Sequence, residues 1–370
     1  MSSDARHESH PYLSVVATAR NDDHGGRLLH RLQLFVDGLA AQCDRHGVDA
    51  ELLLVEWNPP DDKPHLGEVI VWPESKRCSF RLIEVPPHVH TQLEHSDRLL
   101  LFQMIAKNVG IRRASGEWIL ATNVDVLFSD ALMRHLARRD LDPTVVYRVD
   151  RYDVEDVFEV GTPTEEQLHS ASENVIRICR RDATVDVRTV EIHRLDQRRV
   201  SVVQTHLANL YVAAVHFVRG VLRGLASTVG RKGRAERRTT VNLHTNACGD
   251  FTLLAREAWH RLRAYPELQI FSMHLDSLLL FQAHAAGYRE QVLSQPLYHI
   301  EHSSGFTPET WRDLDARINA ASIRQLTWSE VLEWASEMDD QGGPLDFNGD
   351  DWGFADAEFP EYRPATAHVA

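Results

Sequence analysis

Trp118-Ile119-Leu120-Ala121-Thr122-Asn123-Val124-Asp125 sets a short apolar run directly against a polar, oxygen-bearing triplet. Four consecutive apolar residues bounded by polar ones predict a strand buried on both faces. In extended backbone, side chains at i and i+2 point the same way, so Asn123 and Asp125 share one side. Such a pair can hold a hard divalent cation whose remaining positions a diphosphate fills. A plain Asx-type turn gives the same N-x-D pattern.

The residues upstream supply a frame for that strand. The run from Leu13 to Ala19 is rich in β-branched residues and ends in Arg20-Asn21-Asp22-Asp23. From Gly26 to Arg45, Leu28, Leu32, Phe35, Val36 and Leu39 fall at helical spacing. Residues 51–55 and 81–85 predict two more strands, stopped by Pro59-Pro60 and Pro86-Pro87, which cannot donate ladder bonds. Asp97 is placed to cap a helix carrying Leu100, Leu101, Met104, Ile105 and Val109, closing near Gly110 or Gly116. The order β-α-β-β-α-β, with polar residues at the carboxyl ends of strands, predicts an open α/β sheet with its ligand crevice at those ends.

Bulk properties bound the rest. The chain has 370 residues, with 40 Lys and Arg against 54 Asp and Glu, a net charge of −14. Its 43% apolar and 25% charged residues are ordinary for a globular protein. An acidic total argues against a nucleic-acid partner. Cys43, Cys78, Cys179 and Cys248 are scattered, which fits reduced thiols in the cytoplasm. Neither a secretory signal nor an apolar span of about 18 residues is present, so a cytoplasmic protein is expected. From Leu207 to Arg238 an amphipathic pattern runs into a basic stretch. Seven Lys or Arg stand against Glu236 between Arg219 and Arg238. This segment predicts either a packed cover helix or one lying on the inner face of an anionic membrane. Residues 337–361 hold nine acidic and no basic residues. Such tails are usually solvated, but Trp352 and Phe354 allow it to dock back onto the body.

Thr18-Ala19-Arg20-Asn21-Asp22, Asn108-Val109-Gly110-Ile111, Ala114-Ser115-Gly116-Glu117 and Asn123-Val124-Asp125 follow one another in the order and spacing of a known pattern. Over about residues 12–135 the chain resembles family-2-type glycosyltransferases of the GT-A fold. Asn246-Ala247-Cys248-Gly249-Asp250-Phe251, followed by Arg256-Glu257-Ala258-Trp259, resembles their galactosyltransferase-like C-terminal region. The resemblance implies a mixed, mainly parallel α/β sheet flanked by helices, interrupted by an insertion. Residues 12–149 would form the nucleotide-sugar half, 150–245 the insertion, and 246–304 the acceptor half. Residues 305–370 would form a C-terminal helical segment and the acidic tail.

The same resemblance implies transfer of a sugar from a nucleotide-diphosphate donor to the hydroxyl of a glycan, lipid-linked or small-molecule acceptor, with inversion. It assigns donor contacts to Thr18, Arg20, Asn21, Glu56, Lys107, Asn108 and Asn123. Mn2+ or Mg2+ would be held by Asp125 and His302, with His299 in reserve. Gly249 and Asp250 would meet the acceptor, and Asp276 would be the general base. Three positions depart from the pattern: Glu56-Trp57-Asn58 replaces an acidic pair, Asn123 replaces the first metal aspartate, and Leu275 replaces the glutamate before the base.

Each nominee has a plainer reading. Asp276 and Asp250 can cap helices, Arg20 and Lys107 can be surface charges, and His299 and His302 belong to a chain with 21 histidines. Gly25-Gly26 lacks the phosphate-loop pattern and is read as a turn. Two other functions compete: a noncatalytic carbohydrate- or nucleotide-binding protein and a nucleotidyltransferase. The second calls for a Gly-rich loop after the first strand, which Thr18 to Asp23 does not offer.

Overall fold

Strands β1 (Leu13–Ala19) and β2 (Ala50–Trp57) are buried along their whole length, as central strands covered on both faces must be. A computed structural model of the chain describes residues 10–194, 241–302 and 323–364. Among these residues β3 (Cys78–Val85), β2, β1 and β4 (Trp118–Ala121) lie side by side and parallel. Helix α1 (Leu28–His46) connects β1 to β2, and the short helices α2 (Leu66–Val69) and α3 (Pro87–His90) flank β3.

Helix α4 (Gln103–Arg113) leads into β4 and presses closely onto β1: a Cβ on Gly110 would stand 2.6 Å from Val16. Only glycine permits that approach. The helix does not start after Asp97. Arg98 and Leu99 both donate to the His95 carbonyl in a turn, and Phe102 packs against Trp57 and His90 before the helix begins.

β5 (Val126–Phe128) and α5 (Asp130–Ala137) follow, the latter capped by Ser129. β6 (Val145–Val154) continues the sheet, so a boundary between 149 and 150 falls inside one strand. After α6 (Thr164–Glu173), strands β7 (Val175–Cys179), β8 (Ala183–Asp186) and β9 (Ile192–Arg194) extend the sheet as an antiparallel meander. Within the expected insertion, β7, β8 and β9 therefore run out to the edge of the sheet.

Thr252–Ala255, expected within a helical stretch after Asp250, is strand β10, antiparallel to β4 and to β6. Its three apolar residues, Leu253, Leu254 and Ala255, carry no period that separates strand from helix. Helices α7 (Arg256–Leu262) and α8 (Leu275–Ala285) come next, then β11 (Arg289–Ile300), which runs parallel to β6 and antiparallel to β5. The result is the mixed α/β sheet flanked by helices that the sequence predicts, with more residues paired in parallel than in antiparallel ladders.

The C-terminal segment contains α9 (Trp328–Gln341), capped by a Thr327–Glu330 capping box. Beyond it the acidic tail docks on the body. Trp352 is buried, and β12 (Glu361–Tyr362) adds an antiparallel strand to β3. No helix among the described residues is long and apolar enough to cross a membrane. The segment from Leu207 to Arg238 lies outside the described residues.

Candidate functional site

The register of β11 builds one half of the site. His299 lies opposite Val126 of β5 on one side and Asp153 of β6 on the other, and Asp153 lies opposite Arg177 of β7. The Ile300 amide donates to the Asp125 carbonyl at 2.8 Å, drawing the end of β11 against the residue that follows β4 by four positions. The Asp125 Oδ2 atom meets His302 Nε2 at 3.1 Å and His299 Nε2 at 3.6 Å.

The electrostatics follow from that packing. Burial pushes the Asp125 carboxyl up, but His299 and His302 outweigh it and hold the group well below the usual carboxylate range. Burial and Arg151 push the His299 imidazole down, yet Asp125 and Asp153 raise it to about 10. One carboxylate and two imidazoles stand with their ligand atoms within 4.8 Å of one another. Asp125 Oδ1 is buried with no hydrogen-bond partner among the described residues. An acceptor left unpaired beside two imidazoles fits a divalent cation. A second grouping, Asp153, His299 and Glu301, fits one less well, because Arg177 already bonds both acids.

Asn123 anchors the other half. Its Oδ1 accepts from Lys107 Nζ at 2.8 Å and from Gln103 Nε2 at 3.0 Å, and its Nδ2 donates to Asp250. Lys107 is fully buried and also donates to the Gly249 carbonyl at 2.8 Å. Burial lowers its pKa to about 8 against the opposing pull of Asp250, Asp276 and Asp125. Asp276 lies against Gly249, where a Cβ would stand 3.1 Å from its Oδ2. It is the second residue of α8, and the N-cap position belongs to His274. The structure thus gathers Asp125, His299, His302, Asn123, Lys107, Gly249 and Asp276 into one region.

Other nominees have their polar atoms committed. Asp250 accepts from Asn123 on one oxygen and from Arg151 on the other at 2.7 Å, so it links elements and presents no free carboxylate to an acceptor. The Thr18 hydroxyl donates to the Val55 carbonyl at 2.9 Å. Asn108 bonds the Tyr265 backbone through both amide atoms and also donates to Glu267. Glu56 is sealed under α2, accepting from the Leu66 amide at 2.9 Å, and burial raises its pKa. Arg20 and Asn21 stay near the strand ends. Arg20 donates to the Asn58 carbonyl at 2.7 Å and pairs with Asp22, and Asn21 donates to the Pro64 carbonyl.

Three features escape the sequence reading. Arg151 and Asp153, buried in β6, tie His299 to Asp250 through paired charges. Gly25 has φ +71°, and a Cβ there would stand 2.5 Å from His302 Nδ1, so this turn bears directly on the site. Arg31 holds the turn by donating to the His24 and Gly26 carbonyls. The period-2 alternation of charge in Arg151 and Asp153 was the available signal, but only β11 reveals its purpose.

No protein-family model matches the sequence, and no curated protein matches it. Solved structures similar to the chain at low identity include two glycosyltransferases and a glucose-1-phosphate thymidylyltransferase-type protein from Bacillus anthracis, the last 8% identical with a TM-score of 0.33 over 85% of this chain and 98% of that one. The mannosyltransferase PcManGT from Pyrobaculum calidifontis, in complex with GDP-Man and Mn2+, is 13% identical with a TM-score of 0.40, over 94% of this chain and 73% of that one. TarS 1-349 from S. aureus is 12% identical with a TM-score of 0.38, over 86% of this chain and 68% of that one. These scores describe a broad likeness, and the chemistry of the site rests on its own residues.

Proposed function

We propose that the chain is a glycosyltransferase that moves a sugar from a nucleotide-diphosphate donor to an acceptor hydroxyl by a single displacement with inversion. The observation that supports this reading is the adjacency of two chemistries. A carboxylate with two imidazoles lies beside Asn123, and the Lys107 amine that holds Asn123 also holds Gly249, against which Asp276 rests.

Asp125 and His302 would hold Mn2+ or Mg2+. Bound there, the cation would supply positive charge facing the diphosphate leaving group. Lys107 adds a fixed charge behind Asn123. Asp276 accepts the acceptor hydroxyl's proton while the acceptor oxygen bonds the anomeric carbon. The bond from that carbon to the diphosphate oxygen breaks, and the electron pair leaves with the diphosphate. Inversion follows from attack opposite the leaving group.

The test is a panel of nucleotide sugars screened by thermal shift with Mn2+, followed by transfer assays on the donor that stabilises the protein. Asp276→Asn should keep donor binding and lower transfer by about 100-fold or more. No stabilisation by any nucleotide sugar would contradict the proposal. Donor binding without turnover under any acceptor would favour the noncatalytic reading. The commitment of Asn123 to Asp250, Lys107 and Gln103 supports that second reading, because the first position of the motif then contributes no ligand.

A further inference from the structure

The C-terminal tail is tied to the chain on both sides of Asp276. Where α7 ends, Arg263 and Ala264 take φ of +55° and +57°, a left-handed pair that persists only where the surroundings fix it. Two asparagines do so. From α4, Asn108 accepts from the Tyr265 amide at 3.0 Å and donates to the Tyr265 carbonyl at 2.8 Å. From the tail, buried Asn348 donates to the carbonyls of Arg263 at 2.6 Å and Tyr265 at 2.7 Å, and accepts from the Glu267 amide at 2.8 Å. Beyond Asp276, Gln282 of α8 donates to the Leu345 carbonyl at 3.1 Å. The start of α8 has no side-chain cap of its own, since His274 at the N-cap has φ +65° and makes no capping bond. The place of Asp276 is therefore set by the chain before it and the helix behind it, and the tail grips both. The same tail presses on α4, the helix of Lys107: a Cβ on Gly353 would stand 2.7 Å from the Asn108 carbonyl oxygen.

We propose that Asn348 is a positioning residue for Asp276: by clamping residues 263–267 from the tail, it fixes where the base stands, so that it governs turnover and leaves donor binding alone. This deepens the reading of Asp276 as the general base and rests on it. An amide suits the post, because one planar group offers two donors to the Arg263 and Tyr265 carbonyls and an acceptor to the Glu267 amide. A base displaced by a fraction of its hydrogen-bond reach loses rate steeply. The residues around Asp125 and Lys107 take no bond from Asn348 and keep their own partners.

The test is Asn348→Ala in the full chain, measured in two ways. Hydrogen exchange across residues 268–276 should accelerate at least about tenfold, while β1 and β4 keep the wild-type rate. Hydrolysis of the nucleotide sugar that stabilises the protein, with water in place of the acceptor hydroxyl, should show kcat lower by about 100-fold and donor KM unchanged. A side chain that serves stability alone leaves kcat per folded molecule as it was. Should Asn348→Ala fail to fold, Gln282→Met removes the other attachment, the bond to Leu345, and the same split between kcat and KM is expected. Unchanged exchange across residues 268–276 overturns the proposal, since the bridge from Phe271 to Gln325 would then suffice to hold that stretch. Faster exchange with an unchanged kcat overturns it too, as does a loss confined to donor KM. If the wild type hydrolyses no nucleotide sugar, the reading of Asp276 as a base falls. The exchange measurement needs no ligand and still decides whether Asn348 fixes the stretch before it, which separates the two failures.

Discussion

Asn123 sits between a cation and an anion, and an amide suits that position better than the carboxylate usual at the first place of the motif. Its oxygen accepts from Lys107 and Gln103 while its nitrogen donates to Asp250. Asn123→Asp sets two carboxylates against each other, so unfolding in urea should show a loss of about 1–3 kcal/mol, and Mn2+ titration should show no gain in affinity. Lys107 carries the pH dependence. Its folded pKa of about 8 lies below the ordinary lysine value near 10.4, so between these values the folded protein binds fewer protons than the unfolded chain. Stability therefore rises with pH across that window, by on the order of 3 kcal/mol from this group. Below pH 8 the cost of the buried charge is fully present. Melting of the wild type and Lys107→Met at a series of pH values should show their difference moving in favour of the wild type from pH 7 to 10. A flat difference contradicts the assignment. At this scale the nomination of Asp125 can be argued from residue type and spacing, whereas those of His302 and Asp276 come from the resemblance. The resemblance nominates Asp250 for the acceptor, but its role as a link could not be read, since its partner Arg151 lies 99 positions away.

Strands β1 to β4 could be bounded closely from apolar runs and prolines, because burial on both faces leaves a continuous signal. Elements whose pairing is distant were harder to place. The charges Arg148, Asp150, Arg151 and Asp153 resemble a break in sequence, yet they belong to one strand whose partners come from β7, β11 and the loop before β10. The acidic tail shows the same limit. Its net charge predicts solvation, but what fixes it is a set of backbone carbonyls received by arginines of other elements. Arg113 at the end of α4 donates to the carbonyls of Gly353, Phe354 and Ala357, and Arg112 donates to that of Trp352. Asn108 joins this clasp through Glu267, which also accepts from the Gly353 amide. Arg113→Ala should release the tail. Hydrogen exchange across residues 348–362 should accelerate by at least about tenfold, in keeping with local opening, while Mn2+ binding stays as in the wild type. Unchanged protection would show that Trp352 and β12 suffice to hold it.

Across the whole molecule, the site draws on residues from 103–125, from 249–276 and from 299–302, brought together because β10 inserts beside β4 and β11 returns between β5 and β6. The buried chain from Asp125 through His299, Asp153, Arg151 and Asp250 to Asn123 closes these pieces into one unit. Buried charges of this kind keep their arrangement only while each partner stays in place. A site so fixed before ligand arrives suits the recognition of a charged group that must be held without reorganisation. The most direct measurement is calorimetric titration of a stabilising nucleotide-diphosphate sugar into wild type and Asp125→Ala, each with Mn2+ and with chelator. The wild type should bind with Mn2+ and weaken at least about tenfold, or 1.4 kcal/mol, in chelator, while Asp125→Ala binds weakly under both conditions. Equal affinity in all four titrations would contradict the account.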